Sequence, residues 1–259
     1  MPYDLYDVSL IICTFVCEMA CAFTKITQRF IMRKIFLPIA SILILCSCAE
    51  KYSVVGSSAN MLDGTMAYIQ TLVEQNNGEV IDSSEIIHGQ FRMAGTIDSA
   101  QCVRLTMGAE NFPMVLEPGN ISISISNNMV KLEGTPLNDS LYHFLMKRDS
   151  LQILFDDLSH KECDMVLDGY TQDEIMQTLA NESARLNADL DHLDTKFILD
   201  NMDNTLGTFW FLRLCYEARD YYGFPTTTPQ IDEIYLEAPE SFKQNPQIRE
   251  YMKQVNGGN

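Results

Sequence analysis

The residue period of this chain changes near Asn138. Before it, short apolar segments are separated by turn residues. After it, apolar residues recur every three or four positions. The clearest segment of the first half is Ile121-Ser122-Ile123-Ser124-Ile125-Ser126, a strict alternation. A strand points successive side chains to opposite faces, so its isoleucines cover a core and its serines meet water. Further strands are read at 52–56, 65–73, 85–88, 90–94, 101–107, 114–116 and 130–134. Asp63-Gly64, Asn76-Asn77-Gly78, Gly89 and Glu117-Pro118-Gly119-Asn120 are the turns between them. Gly56, Gly89, Gly95 and Gly119 are assigned to turns and bulges. Short strands with no helical period between them predict an antiparallel β-sandwich or open barrel.

The second half reads as helices. Leu141, Phe144, Leu145, Leu151, Leu154, Phe155 and Leu158 mark an amphipathic helix, capped by Asn138 or Asp139. Thr171-Gln172-Asp173-Glu174 is a capping-box pattern, and Ile175, Leu179, Leu186, Leu190, Leu193 and Phe197 follow on one side. A third helix spans about 205–222, with Phe209, Trp210, Leu212 and Leu214. Thr228-Pro229 and Asn245-Pro246 each offer a cap and a proline at the first helical position, for helices reaching about Ala238 and Val255. The fold class is therefore α+β: an antiparallel β-sandwich or open barrel over 48–138, followed by a small antiparallel helical domain over 139–259.

The N-terminus reads as an address. Residues 32–48 are MRKIFLPIASILILCSC. Arg33 and Lys34 precede an apolar run that is too short to span a bilayer and suits a signal peptide. The run ends in Leu45-Cys46-Ser47-Cys48, which looks like a bacterial lipobox. Cleavage falls between Ser47 and Cys48, and Cys48 carries the lipid and becomes the first residue. Upstream, the apolar stretch 9–23 is short and holds Glu18, a charge that is costly inside a bilayer. Residues 1–31 are read as upstream sequence, with translation starting at Met32; the alternative is a first membrane segment. The predicted location is the outer membrane, facing the periplasm, since Ala49-Glu50 carries no acidic export run.

Removing residues 1–47, with four basic and three acidic side chains, takes the net charge from −17 to −18. So acidic a chain is a poor partner for nucleic acid or an anionic lipid surface. Of eight cysteines, only Cys102, Cys163 and Cys215 follow Cys48. They are widely spaced, allow at most one disulfide, and are read as small packing hydrophobes.

Several pieces of the first half carry a resemblance. They are Tyr52-x-Val54-x-Gly56, Asp82-Ser83, Gly89-x-Phe91-x-Met93-x-Gly95, Leu116-Glu117-Pro118-Gly119-Asn120-Ile121-x-Ile123 and Gly134-Thr135-Pro136-Leu137-Asn138-Asp139. In this order they resemble the domain of unknown function that often precedes a thioredoxin-like domain in envelope lipoproteins of Gram-negative gut bacteria. The resemblance covers about a third of the chain. It implies a β-sandwich of eight or so strands, with a helical linker behind it, and no catalytic residue. A thioredoxin-like domain would need a Cys-x-x-Cys, and none follows Cys48.

No other catalytic or cofactor motif is present: no HExxH, phosphate loop, dinucleotide fingerprint or Gly-x-Ser-x-Gly. His88, His143, His160 and His192 are scattered, and His160 with Cys163 is a lone pair where zinc needs about four ligands. Asp156, Asp157, Asp189, Asp191 and Asp194 are read as solvated helix surface. Tyr216, Tyr221, Tyr222 and Phe224, with Arg213 and Arg219, form the candidate partner patch, because Tyr and Arg favour interface hot spots. The expected function is therefore a lipid-anchored binding or scaffolding module without catalysis or cofactor. The alternative is an accessory of a thiol-disulfide system, working with a separate thioredoxin-like envelope protein.

Overall fold

A computed structural model describes residues 50–59, 61–72, 78–126 and 129–257. The signal segment, including Ser47 and Cys48, and turn residues Asn76 and Asn77 lie outside the described residues. Among the described residues eight strands come first: β1 Glu50–Ser58, β2 Met66–Thr71, β3 Val80–Glu85, β4 Gln90–Ile97, β5 Gln101–Met107, β6 Glu110–Leu116, β7 Gly119–Ser126 and β8 Met129–Glu133. Helices follow: α1 Pro136–Leu167, α2 Gln172–Asp200, α3 Thr205–Tyr222, α4 Pro229–Glu237, α5 Glu240–Lys243 and α6 Pro246–Gly257.

The strands form two four-stranded sheets, ordered β4-β1-β7-β8 and β3-β2-β5-β6. Their inner faces carry the alternating apolar side chains. Val54, Met93, Ile121 and Ile123 of the first sheet and Ala67, Ile69, Val103 and Leu105 of the second are all buried. The class is α+β, as the two periods predict. The pairing is not wholly antiparallel, because β1 runs parallel to β7, with Val54 opposite Ile121. Two distant segments can pair in parallel only when long connections carry the chain between them, and no local pattern reports that.

The strand read at 85–88 lies earlier, at Val80–Glu85, and 86–89 form the link to β4. His88 and Gly89 both adopt positive φ there (50° and 69°), and Ile87 and Gln90 exchange two backbone hydrogen bonds around them. This is a two-residue hairpin turn of the kind that matches strand twist. Gly56 and Gly95 are not turn residues. They sit inside β1 and β4, opposite Phe91 and Tyr52. A Cβ on Gly56 would lie 1.9 Å from Phe91 Cζ, and one on Gly95 2.7 Å from the Tyr52 hydroxyl. Each glycine makes room for the ring across the pair. The Tyr52 hydroxyl then donates to Asp82 on β3, 2.8 Å away, tying the two sheets together. Burial and the Asp82 carboxylate push this phenol up to about 12.

The first helix joins the sandwich through a buried polar joint. α1 begins at Pro136 behind Thr135, so the expected cap residues Asn138 and Asp139 lie inside its first turn. Glu117, from the β6–β7 link, supplies the cap instead: its Oε1 accepts the backbone N–H of Leu137 at 2.9 Å and of Asn138 at 3.0 Å. A carboxylate at a helix start meets both the unsatisfied N–H groups and the positive end of the dipole. Asn138, with no exposed surface, accepts the Val115 N–H at 2.9 Å and donates to the Val115 carbonyl at 2.7 Å. Its amide imitates the next strand and closes the outer edge of β6.

α1 and α2 form a long antiparallel hairpin; at 1.5 Å per residue their 32 and 29 residues reach about 48 and 44 Å. Its base packs on α3. Phe144 stacks on Phe197 with centroids 3.9 Å apart, and Trp210 meets Phe144 edge-on at 4.7 Å. Above them Arg148 makes a two-pronged pair with Asp194, at 2.9 and 3.0 Å. Asp194 is therefore not solvated surface: it is buried, because helix packing turns that face toward α1 and Arg148 supplies its counter-charge. Burial works against the Arg148 charge, but the Asp194 hydrogen bonds and charge outweigh it and raise its pKa. The remaining helices start where capping signals place them: Thr171 closes a full capping box, and Asn204 and Thr228 accept N–H groups of α3 and α4. Among the described helices only the short α5 has no counterpart in the sequence reading.

Candidate functional site

The structure divides the candidate partner patch in two. Tyr216 is half-buried, edge-on to Tyr251 at 5.7 Å, with the Arg219 guanidinium 4.8 Å over its ring. It supports the α3–α6 contact, where the Tyr251 hydroxyl lies 2.6 Å from the Cys215 carbonyl and 2.8 Å from that of Thr226. Tyr221, Tyr222 and Phe224 are exposed, Tyr221 to 83%. Their rings follow one another, Tyr221 to Tyr222 at 4.9 Å and Tyr222 to Phe224 at 6.5 Å. Gly223 ends α3 with φ 83°, a left-handed turn that an L side chain would strain, and sends the chain back so that Phe224 joins the tyrosines. The result is a small aromatic ledge. Arg213 belongs elsewhere: it pairs with Glu217 and lies 4.5 Å over Trp210.

The three thiols are separate and free. Cys102 on β5 contacts the Thr205 hydroxyl and carbonyl at 3.6 Å, and Cys215 is buried on α3. Burial pushes both thiols up to about 12. Cys163 departs from the packing role read for it. It is exposed on α1, because the outer half of the hairpin has no layer beyond its two helices to bury that face.

An open cleft of about 580 Å³ lies near the sandwich–helix junction. Its lining includes the polar Asp203, Asn204, Thr205, Asn245 and Gln247 and the apolar Met202 and Phe242. Asn204 is engaged in capping α3 and in binding Asn201, so much of this polarity is structural. Among the described residues no group of three or more His, Cys, Asp and Glu side chains is placed to hold a metal. No described helix is long and apolar enough to cross a membrane.

Sequence reasoning assigned Glu117 to a turn and Asn138 to a cap, and it missed their meeting. The available signal was that Leu116-Glu117-Pro118-Gly119 and Thr135-Pro136-Leu137-Asn138 stand out within the same set of motif pieces. In space those pieces are the two sides of one joint. Likewise Gly56 with Phe91, and Gly95 with Tyr52, are partners across β1 and β4.

Residues 52–141 match the family model described as a domain of unknown function (DUF4369). The match takes in β1 through β8 and the first turn of α1, so the matched segment ends just past the Glu117–Asn138 joint. The long hairpin, α3 and the aromatic ledge lie outside it. No curated protein matches the chain.

Proposed function

We propose that this chain is a lipid-anchored protein of the cell envelope whose folded part works by binding rather than by catalysis. The observation that carries the reading is a register. The lipobox cysteine Cys48 stands two residues before Glu50, where β1 begins. An acylated Cys48 would tether the sandwich at the start of its first strand, with almost no linker. More than one acyl chain is needed for stable anchoring, as lipobox processing supplies. The proposed site is the outer membrane, on its periplasmic face.

The non-catalytic part of the reading is supported by how the distinctive residues are used. Tyr52, Gly56, Phe91 and Gly95 build the β1–β4 pair, and Glu117, Thr135 and Asn138 build the helix joint. The aromatic ledge of Tyr221, Tyr222 and Phe224 is the surface best suited to a protein partner, being rich in residues that anchor interfaces. The anchor is tested by labelling cells with radioactive palmitate. Label on the wild type and none on Cys48→Ala is expected, and equal label on both overturns it.

A second reading, an accessory to a thiol-disulfide partner, has one supporting observation: Cys163 is exposed. A thioredoxin-like partner with one active-site cysteine removed and the other held as a mixed disulfide with a small thiol would be attacked by the Cys163 thiolate, which forms the protein–protein disulfide and releases the small thiol. Loss of that adduct in Cys163→Ser is the expected result, and the absence of any adduct from the wild type removes the reading.

A further inference from the structure

The outer end of the α1–α2 hairpin has the makings of a second docking surface. Between Leu151 on α1 and Leu186 on α2, only Met165 and Ile175 are buried among the described residues. Around the turn, Val166 and Leu167 at the end of α1, Tyr170 in the link and Met176 near the start of α2 are each exposed, Leu167 to 83%. Single exposed apolar residues are ordinary, but four large ones within eleven residues at one end of a hairpin are not.

The exposure is not the fraying of a loose end. Gly169 has φ 82°, its N–H bonds to the Val166 carbonyl at 3.2 Å, and the Tyr170 N–H bonds to the Met165 carbonyl at 3.1 Å. That paired pattern is the Schellman closure of a helix. Five residues on from Val166, Thr171 opens α2 with its capping box to Glu174. Lys161 pairs with Glu182 across the two helices. The backbone that presents the four side chains is held on both sides.

Charge selects the occupant. Residues 151–176 contain seven Asp and Glu and one Lys, the Lys161 engaged with Glu182. A second copy would bring the same carboxylates against these, and an anionic lipid surface would be repelled in the same way. A helix with an apolar stripe and basic flanks satisfies both features, and it would add the third helix that the two-helix tip lacks. We propose that the hairpin tip docks a basic amphipathic helix of a protein partner. The inference deepens the binding reading above and rests on it.

The test uses the full-length chain and a fluorescein-labelled Leu/Lys amphipathic helical peptide, followed by anisotropy. The variant Val166→Ser/Leu167→Ser/Tyr170→Ser removes exposed side chains only, and circular dichroism checks its fold. It is expected to weaken peptide binding about tenfold or more, from the apolar area withdrawn. Leu236→Ser, an exposed apolar change on α4, is expected to leave binding unchanged. Equal affinity for wild type and the tip variant overturns the proposal, as does wild type that binds no peptide. A tip variant whose only effect is on self-association in sedimentation velocity makes the occupant a second copy and also overturns it. The same titration with Tyr221→Ser/Tyr222→Ser/Phe224→Ser separates the two surfaces: weakening there alone overturns the tip and leaves the binding reading standing.

Discussion

Replacing Asn138 by alanine tests the joint between sandwich and helices. Asn138 gives both hydrogen bonds that Val115 makes on the open side of β6, at 2.9 and 2.7 Å. Neither Asn138 nor Val115 has exposed surface. Asn138→Ala therefore leaves one backbone N–H and one carbonyl buried without partners. At about 1–3 kcal/mol for each unsatisfied group the cost is roughly 2–6 kcal/mol, and about 3 if one water enters the space vacated. With a urea slope of about 2 kcal/mol/M the midpoint of unfolding falls by about 1.5 M. Asn138→Leu fills the space but pairs nothing, so it is expected to recover little. Asn138→Asp is expected to be worse than alanine, since it replaces the amide donors with a carboxylate facing Glu117. Asn187→Ala, an exposed change on α2, should stay within about 0.5 kcal/mol of wild type. An Asn138→Ala midpoint within about 0.2 M of wild type would refute the claim that this amide closes the sheet edge.

Three further outcomes follow from the same contacts. Asp194→Ala strands the half-buried Arg148 guanidinium and is expected to cost about 3 kcal/mol, while Arg148→Met with Asp194→Leu recovers most of it; chemical unfolding of the four-member cycle measures this. Gly56→Ala drives a methyl into Phe91 and should cost about 1–3 kcal/mol, and a Phe91→Leu background should shrink that cost if the ring is the obstacle. Glu174 is held below the ordinary glutamate range by the Thr171 backbone N–H and hydroxyl. A carboxylate depressed on folding adds stability above its unfolded pKa and loses it as pH falls through the folded one. The difference in unfolding midpoint between wild type and Glu174→Gln should therefore be present at neutral pH and vanish below the carboxylate range; a difference that persists in acid argues against the cap.

Signals that act within a few residues were legible. The Ile-Ser alternation of β7, the Thr171 capping box and the Pro229 and Pro246 helix starts all appear where the sequence places them. Each depends on side chains within about four positions, so neighbours in the chain are enough. The apolar positions read for α1 run only to Leu158, and the helix continues to Leu167, where Asp168-Gly169 closes it. The misreadings share a different cause. Asp194 resembled its solvated neighbours until α1 brought Arg148 over it. Gly56 and Gly95 resembled turn glycines until β1 and β4 paired and set an aromatic ring over each. The aromatic patch was visible as composition, but which rings face water depended on α6, whose Tyr251 covers Tyr216 and leaves Tyr221, Tyr222 and Phe224 outside.

By itself the sequence determined the α+β class, the order of strands and helices and most helix starts, because periodicity and capping are local physics. Tertiary structure alone decided the parallel β1–β7 pair, the edge closure by Asn138, the capping of α1 by a glutamate 20 residues away, and the thinness of the hairpin that leaves apolar side chains exposed at its tip. Those features depend on groups distant in the chain meeting at hydrogen-bond distance, or on a layer that is missing, and no run of neighbouring residues encodes either.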